Sequence, residues 1–190
     1  MTSTDRIFKR FFDLFFSILG LIFFGWLILL CALASFLLTG KNGIFKQKRV
    51  GQNGVLFYIF KIRTLDKKAT NAFIKYSSFL RKNKLDELPQ LINVALGTMS
   101  FVGPRPDLPG YADLLEGDAR KILKVKPGIT GPASIIFRNE EGILEVKKNK
   151  EKFNREVIWP KKVLINIKYV EEYSFKKDII YLYMTFFIHE

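Results

Sequence analysis

One histidine and one cysteine are all that this 190-residue sequence holds of either. His189 stands one residue from the end, so Ser-His-Asp or Cys-His nucleophilic chemistry has almost nothing to work with. A zinc site built from His and Cys lacks ligands, and Cys31 alone excludes a disulfide within the chain. Any catalysis must therefore rest on carboxylates, Lys and Arg, hydroxyls or a hard metal ion. Acids are scarce as well: 18 Asp and Glu against 31 Lys and Arg leave a formal charge of +13. Between Lys41 and Leu85, Asp66 is the one acid among twelve basic residues, a local excess of +11. A field of that sign draws nucleic acid, anionic lipid headgroups or a nucleotide, or is simply a solvated surface.

Charge is missing altogether from Leu14 to Gly40, where Leu, Ile, Phe, Trp and Ala dominate. As a helix these 27 residues would be about 40 Å long, enough to cross a hydrocarbon core of about 30 Å. The run is too long for a removable signal peptide and carries no small-residue cleavage site. No polar face exists to suit the core helix of a soluble protein. Both flanks are basic, with Arg6, Lys9 and Arg10 before and Lys41, Lys46, Lys48 and Arg49 after. Positive flanks favour the cytoplasmic side, and a crossing helix cannot put both there. A re-entrant helix-break-helix can, with Gly20 and Gly25 near its middle. The simple span is the alternative.

After a turn at Gly40 to Gly43, Ile44–Val50 and Val55–Ile62 flank Asn53-Gly54 and read as a β-hairpin. Residues 66–84 look helical and basic. Leu88, Leu91, Ile92, Ala95 and Leu96 recur at helical spacing. Gly103 to Pro109 and Pro127 to Pro132 read as Pro/Gly-punctuated loops, and Glu140 to Glu156 as a charged helical surface. The apolar tail from Ile179 to Ile188 is too short to span, and would pack on the core or lie in the interface. The fold class expected is α+β and mostly helical: residues 1–40 form the membrane-inserted segment and 41–190 a small domain with a β-hairpin.

Asp86 and Glu87 are adjacent acids at the mouth of the Leu88–Leu96 helix, with Pro89 in its first turn. Acids at a helix start cap free amides and suit the macrodipole. Next to Arg81, Lys82 and Lys84 they also suit a divalent ion and a diphosphate, because Mg²⁺ prefers one or two carboxylates plus substrate phosphates. A carboxylate can attack phosphorus itself, splitting one displacement into two. Arg105 lies between Pro104 and Pro106, which restrict the backbone and suit phosphate binding, or make a plain rigid turn. Lys61 and Arg63 share a strand face. They line a phosphate site or keep an edge strand soluble. Arg138, beyond the Pro127–Gly131 loop, is no more specific by itself.

Six runs, KRFFD (9–13), IFKQKRVGQNG (44–54), FKIRTL (60–65), LDELPQLINV (85–94), MSFVGPRP (99–106) and KPGITG (126–131), resemble the bacterial sugar transferase family. These are the monotopic polyprenyl-phosphate phosphoglycosyl transferases. The runs keep the family's order over most of residues 6–139, and a weaker match passes through Tyr169, Ser174 and Asp178. The resemblance implies a membrane enzyme of the bacterial inner membrane, its catalytic domain on the cytoplasmic face, and no nucleic-acid partner. It would move a sugar 1-phosphate from a UDP-sugar to polyprenyl (undecaprenyl) phosphate. Asp86 would be the nucleophile that releases UMP, and Glu87 would help position Mg²⁺. Lys61, Arg63, Arg81, Arg105 and Arg138 would bracket the phosphates. The chain departs from the family in carrying Gly25-Trp26 for Ser-Pro, Thr98 for Asp, and Pro132-Ala133-Ser134 for Leu-Ala-Gln.

Two rival classes follow from composition: a non-catalytic membrane-anchored module gripping anionic lipids or partner proteins, and a nucleic-acid binder suggested by a pI near 9.8. The first leaves LDELPQL and the proline-flanked Arg105 unexplained. The second lacks any nucleic-acid module.

Overall fold

The computed structural model describes residues 1–187, so His189 and the final residue of the apolar tail lie outside the described residues. Helix α1 runs from Ser3 to Thr39, 37 residues and so about 55 Å. A capping box opens it: the Thr2 hydroxyl accepts from the Asp5 amide and the Asp5 carboxylate accepts from the Thr2 amide. Gly40, left-handed at φ 66°, closes it.

The break expected at Gly20 and Gly25 is absent, and one helix passes through both. Glycine costs a helix about 1 kcal/mol but keeps its N–H and its ladder bond; proline removes the bond and clashes with the preceding turn. With Trp26 where the family has proline, nothing forces a bend. Gly20 serves a close approach instead, since a Cβ there would lie 3.1 Å from Leu91.

The helix is also inverted relative to a soluble amphipathic one. Its buried residues are Lys9, Asp13, Ser17, Ile28, Cys31 and Ser35, which fall within an arc of about 100° at helical spacing. That stripe faces the rest of the chain and is largely polar. Ile7, Ile22, Leu29 and Leu37, each at least 70% exposed, point away from it.

Strands β1 (Ile44–Val50) and β2 (Leu56–Ile62) pair antiparallel in the expected hairpin. Asn53 and Gly54 both take positive φ in the turn. Gly43 seats the hairpin on α1: a Cβ there would fall 1.9 Å from the Ala32 carbonyl oxygen. Helix α2 (Asn71–Lys82) starts later than expected, where the Thr70 hydroxyl accepts from the Phe73 amide. Ile62 and Leu80 pack with Ile28 and Cys31 of α1.

Helix α3 (Gln90–Leu96) is followed by β3 (Ser100–Val102). The Pro127–Pro132 segment, read as a loop, contains β4 (Gly128–Thr130), parallel to β3. Helices α4 (Pro132–Ile136), α5 (Glu140–Glu145), α6 (Lys150–Phe153), α7 (Trp159–Glu171) and α8 (Phe175–Phe187) complete the described chain. The expected charged surface helix is thus divided into α5, α6 and a π turn at Asn154–Ile158. Helix α8 packs on the core: Tyr181 and Leu182 lie against Val102, Val125 and Tyr169. The structure is mostly helical with a β-hairpin, as the pattern predicts, and adds a second small sheet, β3–β4, that the pattern did not show.

Candidate active site

Lys84 turns the chain left-handed at φ 56°, and Leu85–Glu87 form a single 3₁₀ turn before α3. The acids therefore precede the helix instead of opening it, and Pro89 is its N-cap and not a first-turn residue. This turn aims two neighbouring carboxylates into different surroundings.

Glu87 is gripped. Its Oε1 accepts from Lys61 Nζ at 2.7 Å and from Arg105 Nη2 at 2.9 Å. Burial pushes the Glu87 pKa up, but Arg105 and then Lys61 outweigh it and bring the carboxyl to about 2. Asp86 is buried at 8% exposure, yet no side-chain donor among the described residues engages its carboxylate. Burial and then the Glu87 charge raise its pKa, against the opposing pull of Lys61 and Lys84. An unclaimed carboxylate with raised basicity, beside a clamped and ionised one, is a pattern of functional sites.

Lys61 and Arg105 meet at the dyad because two scaffolds converge. Lys61 is on β2, on the face shared with Phe45 and Ile59. Ile59 packs with Val94 of α3 and with Met99, and Asn93 ties α3 to β2 by accepting from the Phe60 amide and donating to the Tyr58 carbonyl. Arg105 is presented by a loop fused to β4. The Gly103 amide donates to Thr130 and the Gly128 amide to Pro104, each at 2.8 Å. Cβ atoms on Gly103, Gly128 or Gly131 would lie 2.1–2.4 Å from backbone atoms.

The other three basic candidates are engaged elsewhere. Arg63 donates from Nε to the Asn42 carbonyl at 2.7 Å and covers the Phe45 ring. Arg81 donates to the Thr64 carbonyl. Arg138 donates to the Met184 carbonyl near the end of α8. None of these contacts is to Asp86 or Glu87.

For a divalent cation, the described residues hold no group of three or more His, Cys, Asp or Glu side chains. The donor set is the dyad itself: the Asp86 carboxylate and the Glu87 oxygen that Lys61 and Arg105 leave unused. Two hard oxygen ligands with remaining positions open to phosphate fit Mg²⁺, which keeps few protein ligands.

Two side chains beside the site were not singled out as candidates. Arg49, at the end of β1, donates from Nη1 to the Pro106 carbonyl at 3.2 Å and from Nη2 to Gln47 Oε1 at 2.7 Å. Asp107 is raised to about 6 by burial, against Lys162, Arg49 and Arg105. The hairpin register carried a usable signal for Arg49, because odd-numbered residues of β1 face the same way as Lys61.

The family model described as bacterial sugar transferase matches residues 4–189. The chain is 34% identical over 203 residues to UDP-glucose:undecaprenyl-phosphate glucose-1-phosphate transferase of Escherichia coli (strain K12), covering 98% of this chain and 41% of that protein. It is 35% identical to the uncharacterized sugar transferase EpsL of Bacillus subtilis (strain 168), covering 94% and 85%. To the exopolysaccharide production protein ExoY of Sinorhizobium fredii it is 28% identical, covering 93% and 83%. The chain thus spans about two fifths of the Escherichia coli protein and most of EpsL and ExoY. With nearly every described element inside the matched segment, the chain belongs to the bacterial sugar transferase family.

Proposed function

We propose that this chain is a phosphoglycosyl transferase that moves a sugar 1-phosphate from a UDP-sugar to polyprenyl phosphate, as the first membrane step in building a glycoconjugate. The observation that carries the proposal is the contrast inside the dyad: Glu87 is held by Lys61 and Arg105, while the adjacent Asp86 is left without a side-chain donor. The Escherichia coli relative, named for transfer of glucose 1-phosphate to undecaprenyl phosphate, supports the same reaction class.

In this mechanism an Asp86 oxygen bonds to the β-phosphorus of the UDP-sugar. The bond from that phosphorus to the bridging oxygen breaks, and UMP leaves with the oxygen and the electron pair. The sugar phosphate remains on Asp86 as an acyl phosphate. An oxygen of polyprenyl phosphate then attacks the same phosphorus, the Asp86–phosphorus bond breaks, and a polyprenyl diphosphate sugar departs. Lys61 and Arg105 hold Glu87 ionised, and Arg105 stands where it can donate to phosphoryl oxygens as charge builds on them. Asp86 and Glu87 would hold Mg²⁺, which supplies further neutralisation of those oxygens.

The Asp86→Asn variant should release no UMP from a UDP-sugar while still binding membranes. Wild-type protein given labelled UDP-sugar and no acceptor should retain label on Asp86. Turnover at the wild-type rate by the variant would remove Asp86 from the nucleophile's role. A non-catalytic lipid-binding module predicts no UMP release from either protein.

The same reading includes the membrane. Both ends of α1 are tied to one polar body: Lys9 to Asp178 and Arg10 to the Val94 and Ala95 carbonyls at one end, Ser35 to the Arg63 carbonyl at the other. A crossing helix would drag α3 and α8 through the bilayer with it. Helix α1 therefore lies along the lipid with its apolar faces outward and both ends on one side, so that a soluble donor and a lipid-borne acceptor meet at the interface. Gly25 has open space around it, and Gly25→Ala should leave liposome binding and turnover unchanged. A reading that needs a bend there expects both to fall.

A further inference from the structure

We infer that Arg49 is a positioning residue for this transfer: it grips the backbone of the loop that carries Arg105, and so sets where that guanidinium stands against Glu87. The kinetic consequence rests on the phosphoglycosyl-transfer reading; the geometric one does not.

The loop from Gly103 to Asp107 is anchored at four points. Three join main chain to main chain: the Gly103 amide to Thr130, the Gly128 amide to Pro104, and the Val50 amide to Asp107 at 2.9 Å. These survive any change of side chain. The fourth is Arg49 Nη1 on the Pro106 carbonyl, immediately after Arg105. Among the described residues it is the one side-chain donor to that stretch of backbone. The first two anchors fix the loop to β4, whereas the Val50 amide and Arg49 both fix it to β1, Arg49 being the side-chain tie, from the strand face that also carries Lys61. Lys61 and Arg105 converge on a single oxygen of Glu87. A small shift of loop against hairpin therefore separates them, and Arg49 spans that joint. Gln47, two residues back on the same face, holds the other end of the Arg49 guanidinium.

The arrangement is not one that stability alone would select. Arg49 Nε is buried with no acceptor, and a buried unmatched donor is costly. Burial and then the neighbouring Arg105 charge also work against the Arg49 charge. Local costs of this kind collect at functional sites.

The test is a double-mutant cycle with Arg49→Gln and Arg105→Ala, plus Arg49→Lys, in detergent or nanodiscs. The geometric arm follows the Arg105 guanidinium resonance by ¹⁵N NMR, and Arg49→Gln should move it toward that of a solvated arginine. In the kinetic arm, Arg49→Gln should lower kcat for UMP release by roughly tenfold to a hundredfold, the size expected when a catalytic group is displaced by about 1 Å. KM for the UDP-sugar should change less than about threefold, because Arg49 itself touches no substrate. In the Arg105→Ala background Arg49→Gln should add less than about twofold, since its effect passes through the missing side chain. Arg49→Lys, which keeps one donor, should fall between, and it carries the cycle if Arg49→Gln does not fold. An unmoved Arg105 resonance, a wild-type kcat in Arg49→Gln, or an equal loss in both backgrounds overturns the inference. Wild-type protein that releases no UMP from any UDP-sugar instead overturns the transfer reading, and the NMR arm still decides the geometry.

Discussion

Two groups of buried acids are held in opposite ways in this molecule. Where α1 meets α8 and β3, the acids are held by several donors. Asp178 accepts from Lys9 and from the Tyr169 and Tyr173 hydroxyls, and Asp13 accepts from the Ser100 hydroxyl and the Phe101 amide. At the Leu85–Glu87 turn the contacts are one-sided, with Glu87 doubly bound and Asp86 without a side-chain partner. A cluster engaged this heavily has little left to offer a ligand, and its contribution is to hold α1 on the domain. An unsaturated one costs folding energy and keeps coordination positions for something that arrives later.

Substitutions should separate the two. The largest effect belongs to Asp86→Asn, which should lower turnover by about 10⁴-fold, the scale of losing a nucleophile. Thermal stability at neutral pH should be at least that of the wild type. The Asp86 pKa is raised in the fold, so the ionised form is disfavoured there and its removal relieves a cost. A marked fall in Tm would mean the carboxylate is part of the scaffold. Next, Asp178→Ala leaves Lys9 buried without its counter-charge and should destabilise by about 3–5 kcal/mol, read as a lower Tm, with kcat per folded molecule unchanged. A drop in kcat at full folding would erase the distinction between the clusters.

The smallest effect concerns acid. The folded-state pKa of Glu87, about 2, lies below the ordinary 4.5, so the ionised form is the stabilised one. Its contribution is complete above pH 4.5 and fades as pH falls toward 2. With the half-exposed Arg105 partly screened, the contribution is about 2 kcal/mol. Glu87→Gln should flatten that limb of the stability curve. An unchanged acid limb would show that Lys61 and Arg105 do not hold Glu87 in solution.

Much of the open site was legible in the sequence because it is written locally. Asp86 and Glu87 are neighbours, and the prolines around Arg105 mark a presented side chain. The hairpin announces itself through Asn53-Gly54 between β-rich runs, and that pairing puts Lys61 on the inner face. The closed cluster was not legible, because Lys9 and Asp178 are 169 residues apart and no periodicity links them. The β3–β4 pairing was hidden for another reason: it depends on glycine backbones touching, and glycines between prolines look like a loop. Arg49 was hidden inside a basic run with Lys46 and Lys48, where strand alternation singles it out only after the register is known. Gly25 misled in the other direction, since a residue that permits a bend does not make one.

The Lys9–Asp178 pair also has a consequence for how the protein is made. Helix α1, which carries a lysine, two arginines and two aspartates among its phenylalanines, leaves the ribosome well before α8. Its counter-charge on α8, Asp178, is translated 169 residues after Lys9. At bacterial elongation rates of about 20 residues per second the wait is on the order of ten seconds, during which this helix is apolar, incompletely paired and in need of a lipid surface or a chaperone to occupy it.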